Sequence, residues 1–288
     1  MAEISAATVV KLRKLSGQGM MDCKQALTEA NGDMDQAMQI LRKKGLATLA
    51  KRAERETSEG RVISKLTDDG KTGVLITLCS ETDFVAKSDD FVAVTDKLAD
   101  YALACPDDQS REAILATEVN GQSLNDLITE LVSKTGEKTQ LGDYARFKLT
   151  GSGLIAIYVH FNRKVGTMLQ IETSDDKVAV SQALKTIAND IAMHITATKP
   201  LALDKDGIDA DTIEKEKAIY ADQVKDKPAE MVGKIVEGKM KKFFAENCLI
   251  EQPFVKDDKK SVKQVLDEAA KSAGGTAVIK RFVRFAVG

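Results

Sequence analysis

The sequence predicts an α+β protein: a three-helix N-terminal bundle, then a duplicated ββα core that carries a helical-hairpin protrusion. Three patterns predict it. Near the N-terminus apolar residues recur at i, i+3, i+4 and i+7, the period of a helix with one buried face. Farther on, glycines thirteen positions apart bracket two similar segments, Gly60 to Gly73 and Gly153 to Gly166, each with a polar turn in its second half. Later a charged helix precedes one with a wide apolar stripe, which an antiparallel neighbour would cover.

In chain order, a first helix runs from about Ala6 to Leu15 and stops at Ser16-Gly17-Gln18-Gly19. Cys23, Ala26, Leu27 and Ala30 define the second, and Met34, Ala37, Met38 and Leu41 the third, with Asn31-Gly32-Asp33 supplying a stop and an N-cap between them. Met20 and Met21 enter the second helix side by side. Neighbours on a helix diverge by about 100°, so either one is exposed or both tuck under the module. The glycines around Gln18 complete no phosphate-loop pattern and follow no strand. AKRAERETSEG then reads as an exposed helical linker.

Each glycine-bracketed segment reads as a β-hairpin. Ser88-Asp-Asp-Phe-Val-Ala-Val and Ser174-Asp-Asp-Lys-Val-Ala-Val share SDDxVAV and read as matching helix starts, so a ββα unit is used twice. On that alignment Gly73 to Ser88 spans fifteen positions and Gly166 to Ser174 eight, which makes Thr82-Asp83-Phe84-Val85 part of an insertion in the first copy. A loop the scaffold does not need is a candidate for reaching a partner. Alternatively Phe84 folds back over the sheet edge. After Pro200 come an Asp-rich loop, the charged helix TIEKEKAIYADQVKDK and the return stripe Met231, Val232, Ile235, Val236, Met240, Phe243, Phe244. Ala277 to Val287 alternates like a closing strand. The expected division is residues 1–55 for the bundle and linker, 56–145 for the first core subdomain and 146–288 for the second, interrupted by the protrusion at about 200–230.

Composition narrows the function. Lys and Arg number 42 against 44 Asp and Glu, so no global field recruits nucleic acid or an anionic membrane. MAEISAATVV lacks a signal-like h-region and no apolar run is long enough to span a bilayer, so the expectation is a cytoplasmic protein without membrane contact. Cys23, Cys79, Cys105 and Cys248 have no metal-ligand spacing; neither metal nor cofactor is expected. Only two histidines are present. His160 has no nucleophile motif or acidic pair around it, and His194, within IAMHITA, reads as a core residue. No catalytic residue is assigned, and the chain is expected not to be an enzyme.

LRKLSGQGMMDCKQALTEANGDMDQA, TDFVAKSDDF, IAMHITATKP and VEGKMKKFFAENCLIEQPFV together resemble, in order and over nearly the whole chain, the signature segments of the elongation factor Ts family, nucleotide exchange factors of the GTPase elongation factor Tu. The resemblance implies that the bundle is ubiquitin-associated-like and that the chain loosens phosphate contacts and displaces magnesium so that GDP leaves and GTP reloads. It implies that Thr82, Asp83, Phe84 and Val85 reach the magnesium and phosphate site, with Phe84 as the wedge. It places Arg13, Met20 and Met21 against the nucleotide-binding domain, and matches the family's hairpin histidine to His160. A homodimer through the protrusion or a 2:2 complex is compatible with it, and direct nucleic-acid binding is not expected. Some family members continue past the closing strand with a further helical module, whose contacts are expected to be missing here. Two other readings stay open: an adaptor using residues 1–55 alone, and an RNA-binding protein using Arg42 to Arg55.

Overall fold

A computed structural model describes residues 4–225 and 227–288. Its first part is helical: α1 (Ala6–Ser16), α2 (Met20–Glu29) and α3 (Met34–Lys51). The Ser5 hydroxyl accepts the Thr8 N–H at 3.1 Å to start α1, and Gly17 ends it in the left-handed region. Leu12, Cys23, Leu27 and Leu41 meet at the centre, where full burial of one leucine stabilises by about 1.5–3 kcal/mol.

The next unit comprises β1 (Glu59–Leu66), β2 (Thr72–Ser80), α4 (Asp83–Lys87), α5 (Asp89–Ala104), α6 (Arg111–Ala116), the two-residue strands β3 (Glu118–Val119) and β4 (Gln122–Ser123), α7 (Leu124–Thr135) and β5 (Thr139–Lys148). Its sheet is antiparallel in the order β1-β2-β5. The central strand β2 is apolar almost throughout because both faces are covered: Val74, Ile76 and Leu78 turn toward α5 and α7, Leu75 toward the other sheet.

The second unit repeats the first: β6 (Gly153–Val159), β7 (Val165–Thr173), α8 (Asp176–Val180), α9 (Gln182–Thr198), then after an excursion β8 (Pro253–Phe254), β9 (Asp257–Ser261), α12 (Val262–Ser272) and β10 (Ala277–Ala286). Its sheet runs β10-β7-β6. Gly60 and Gly153 occupy equivalent places, each passing so close to a carbonyl of the neighbouring strand, Leu78 or Ile171, that a Cβ would collide. Phe147 lies opposite Gly73 and Phe285 opposite Gly166, and the sheets break register just past the third and the fourth residue farther along, respectively. The duplication therefore extends beyond a ββα unit to include α7 with α12 and β5 with β10. The sheets pack face to face through Val62, Leu75, Phe147, Ile155 and Met168. Helices α5 and α7 cover one outer face and α9 and α12 the other, a four-layer arrangement.

This geometry overturns the expected insertion. Thr82 caps α4 as Asp175 caps α8, Ser88 caps α5 as Ser181 caps α9, and the spacing from Gly73 to Thr82 and Ser88 equals that from Gly166 to Asp175 and Ser181. The shared SDDxVAV thus matched residues that are not equivalent: in the first unit it opens the long helix, in the second the one-turn helix. Both copies need this turn. They differ in its outward side chain, Phe84 in α4 and Lys177 in α8.

The excursion is a helical hairpin of α10 (Ala210–Asp222) and α11 (Ala229–Asn247). Ile208, Met240, Phe243 and Cys248 close its base, and Lys239 stands 5.3 Å from the centre of the Tyr220 ring. Ile219 and Met231, farther out, stay exposed.

The segment read as an exposed helical linker is exposed at most of its residues but helical only as far as Lys51, and both it and the helix before it are tied to the first core unit. Helix α3 crosses α7 at Gly45, where a Cβ would stand 2.8 Å from the Thr129 carbonyl oxygen and 2.9 Å from the Ser133 Cβ. Arg42 pairs with Asp126, and the Ser133 hydroxyl donates to the Leu41 carbonyl at 3.2 Å. Past the helix end, Arg52 donates to both Glu81 oxygens at 2.9 and 2.8 Å, and the Lys138 ammonium donates to the Ala53 and Arg55 carbonyls. Within the basic run Arg42, Lys44 and Arg52 each pair with a carboxylate of the same chain.

Candidate functional site

Helix α4 is one turn long, too short to hold itself, and is fixed from several directions. Thr82 accepts the Val85 N–H at 3.3 Å and donates its hydroxyl proton to the Glu137 carboxylate at 2.9 Å. Ser80 donates to the Thr82 carbonyl at 3.0 Å, and Arg61 Nε donates to the Ala86 carbonyl at 3.0 Å. Val85 and Ala86 are buried in the first core. Asp83 and Lys87 pair at 2.7 Å, and the Lys87 ammonium holds the Asp83 carboxyl below the usual range. Burial pushes the adjacent Glu81 carboxyl up, but the Lys138 N–H and the Arg52 guanidinium outweigh it, so Glu81 also sits below its ordinary value.

What this framework presents is the Phe84 ring, 83% exposed. It does not fold back over the sheet edge. Of the four residues assigned by resemblance, Thr82 and Val85 face the protein, Asp83 is half-buried, and Phe84 faces solvent. A rigid exposed aromatic costs little ordering entropy on binding, which suits it to anchor an interface.

On the bundle, Met20 is 41% and Met21 73% exposed. Both face outward, where the spacing argument allowed one or none, because they form the first turn of α2 ahead of the level at which Cys23, Ala26 and Leu27 fill the small core. Arg13 is exposed on α1. The pair Arg52–Glu81 joins the end of α3 to the residue before Thr82, so the bundle and α4 are mechanically linked.

His160 is half-buried in the β6–β7 turn, its Nδ1 2.9 Å from the Tyr158 hydroxyl. The turn leans on the first sheet: the Val62 N–H donates to the Arg163 carbonyl at 2.7 Å, and Lys164 pairs with Glu59. Consecutive residues of β1, Arg61 and Val62, therefore bind α4 and this turn respectively. Beside His160, at a ring separation of 4.4 Å, stands Phe161, a residue not singled out from the sequence and 88% exposed. The available signal was an aromatic in the middle of a polar turn.

His194 is fully buried: Nε2 donates to the Gln252 side-chain oxygen at 2.8 Å and Nδ1 accepts the Val255 N–H at 3.3 Å. Burial lowers its pKa, and the geometry is that of a neutral core imidazole. Among the described residues no cluster of three His, Cys, Asp or Glu is placed to hold a metal, and no helix is long and apolar enough to cross a membrane.

The sequence profile described as Elongation factor TS matches residues 81–288, beginning at the carboxylate beside Thr82. Elongation factor Ts of a Nitratiruptor species is 44% identical over 287 residues, covering 99% of this chain and 93% of that protein. The corresponding protein of Alkalilimnicola ehrlichii is 44% identical over 288 residues, covering 99% and 92%. That of Chlorobium phaeobacteroides is 41% identical over 293 residues, covering both chains in full. The similarity includes the N-terminal bundle as well as both copies of the core, and with it this chain belongs to the elongation factor Ts family.

Proposed function

We propose that this chain binds the GTPase elongation factor Tu and promotes GDP release by displacing magnesium and loosening the phosphate contacts, after which GTP reloads. The observation that carries this reading is Phe84: a ring 83% exposed on a helix whose inner side and both ends are anchored. In this reading Phe84 enters the partner beside its phosphate site, Asp83 lies next to it, and Thr82 and Val85 supply the rigidity that lets the ring push. Met20, Met21 and Arg13 grip the nucleotide-binding domain from the bundle, and His160 contacts the partner from the second copy.

The thermodynamics need no covalent step. A factor that prefers the empty GTPase weakens the nucleotide by the same free energy with which the nucleotide weakens the factor. A coupling of about 4 kcal/mol corresponds to roughly a thousandfold. Disturbing both the metal and the phosphate contacts is an effective way to obtain it, because those contacts dominate nucleotide affinity in such GTPases.

The test is release of fluorescent GDP from elongation factor Tu with and without the full chain. Phe84→Ala is expected to lower the maximal stimulated rate by roughly thirtyfold or more, the loss of a central aromatic anchor. Its thermal unfolding should match that of the parent, since the ring contacts little of its own molecule. Undiminished release with this variant would remove Phe84 from the mechanism.

A further inference from the structure

Three large apolar side chains among the described residues exceed 70% exposure: Met21, Phe84 and Phe161. The first two are already assigned to the partner; Phe161 is not, although it stands beside His160, which is. Its exposure is not the result of a loose loop. The His160 N–H donates to the Val165 carbonyl at 2.9 Å, the Arg163 N–H to the His160 carbonyl at 2.8 Å, and the Asn162 side chain accepts the Lys164 N–H at 2.9 Å. The Val62 and Val287 amides hold this turn from outside.

The first copy contains the same turn. There the Thr67 N–H donates to Thr72, the Gly70 N–H to Thr67, and the Asp69 side chain accepts the Lys71 N–H at 2.9 Å. Gly70 has φ 68° where Arg163 has φ 56°. The position equivalent to Phe161 is Asp68, so the turn forms without an aromatic. An exposed Phe at a site the scaffold fills with Asp is not required by the fold and costs solubility.

The repeat also decides where the ring lies. Helix α4 and the β6–β7 turn both attach to β1, through Arg61 and Val62, whereas of their polar counterparts Lys177 belongs to α8, which packs on β6, and Asp68 to the β1–β2 turn, which the Leu149 N–H holds at the Lys71 carbonyl. The duplication thus sorts both aromatics to the β1 side. We propose that Phe161 is a second anchor for the same GTPase, seated in an apolar recess of that partner and carried on a turn attached to the same strand, β1, that holds α4. It engages loaded and empty forms alike. It therefore sets affinity and leaves the release step to Phe84. This rests on the exchange-factor reading above.

The experiment titrates the full chain against elongation factor Tu loaded with fluorescent GDP. Phe161→Asp, which installs the first copy's residue, and Phe161→Ala should raise the half-saturating concentration about tenfold, with the maximal rate within about twofold of the parent and unchanged thermal unfolding. Phe161→Tyr should restore affinity. Unchanged half-saturation while the parent remains active overturns the proposal, as does a loss that tracks lowered thermal stability. A shift in the sedimentation of the free chain on Phe161→Asp would assign the ring to self-association instead and equally overturn it. If the parent itself fails to accelerate GDP release, the exchange-factor reading falls, and this inference with it.

Discussion

At the outward position of its one-turn helix the first copy of the core carries Phe84, and the second carries Lys177. The buried residues beside them match: Val85 and Ala86 against Val178 and Ala179. Both helices are capped from the preceding residue and both hand over to a serine-capped long helix. A duplicated scaffold has therefore acquired two different faces by changing outward side chains and leaving the backbone path alone. The copies differ on their outer layers too. The bundle lies on α7, while the second copy has acquired the α10–α11 hairpin between α9 and β8.

The most demanding test of that asymmetry exchanges the residues. Phe84→Lys should reduce stimulated GDP release by roughly thirtyfold or more, and adding Lys177→Phe should not restore it, because the second ring faces away from the bundle and the β6–β7 turn. Recovery in the double variant would mean that the copies are interchangeable.

A smaller effect is expected where the bundle meets the first copy. Gly45→Val places methyl groups against the Thr129 carbonyl and Ser133, overpacking that should cost about 1–3 kcal/mol and be relieved by undocking the bundle from α7. Met20 and Met21 would then lose their fixed relation to Phe84. Half-saturation should rise, and hydrogen exchange should increase in α3 and α7 but not in α9 or α12. Protection unchanged in α7 would show that the bundle is held elsewhere.

The smallest effect concerns pH and the two cores. Tyr101 in α5 and His194 in α9 occupy equivalent positions, so the second core buries an imidazole where the first buries a phenol. An unfolded histidine titrates near pH 6.5, and burial holds the folded one lower. Between those two values the unfolded chain binds the extra proton. The stabilisation is complete above about pH 6.5 and is lost as pH falls through the folded value. Lowering the pH from about 7 to 5.5 should therefore reduce amide protection, measured against the intrinsic exchange rate at each pH, in α9 before α5, and His194→Gln should abolish the difference. Equal responses in both helices would show that His194 does not set the acid sensitivity of the second core.

Much of this organisation was legible in residue spacing. The bundle helices, both hairpins, the helical return of the protrusion and the closing strand depend on local periodicity, and glycine or capping residues mark their ends close to where the structure places them. The role proposed for Phe84 comes from its resemblance to a family motif, and the inserted-loop explanation attached to it was mistaken. Met20 and Met21 illustrate the same limit. Periodicity gives the angle between two side chains but not where a small core ends along the helix axis.

The four residues that decided the comparison of the copies, Ser88, Ser174, Asp175 and Ser181, are all competent helix caps, so their identities could not say which pairs correspond. That assignment comes from which amide each oxygen accepts, a relation set by backbone conformation and by the buried valine and alanine between the caps. Local order follows from hydrophobic period and turn chemistry, which act over a few residues of chain. The exposure of Phe84 and Phe161, the docking of the bundle at Gly45 and the satisfaction of Arg52 by Glu81 depend on groups far apart in sequence, and only folding brings those together.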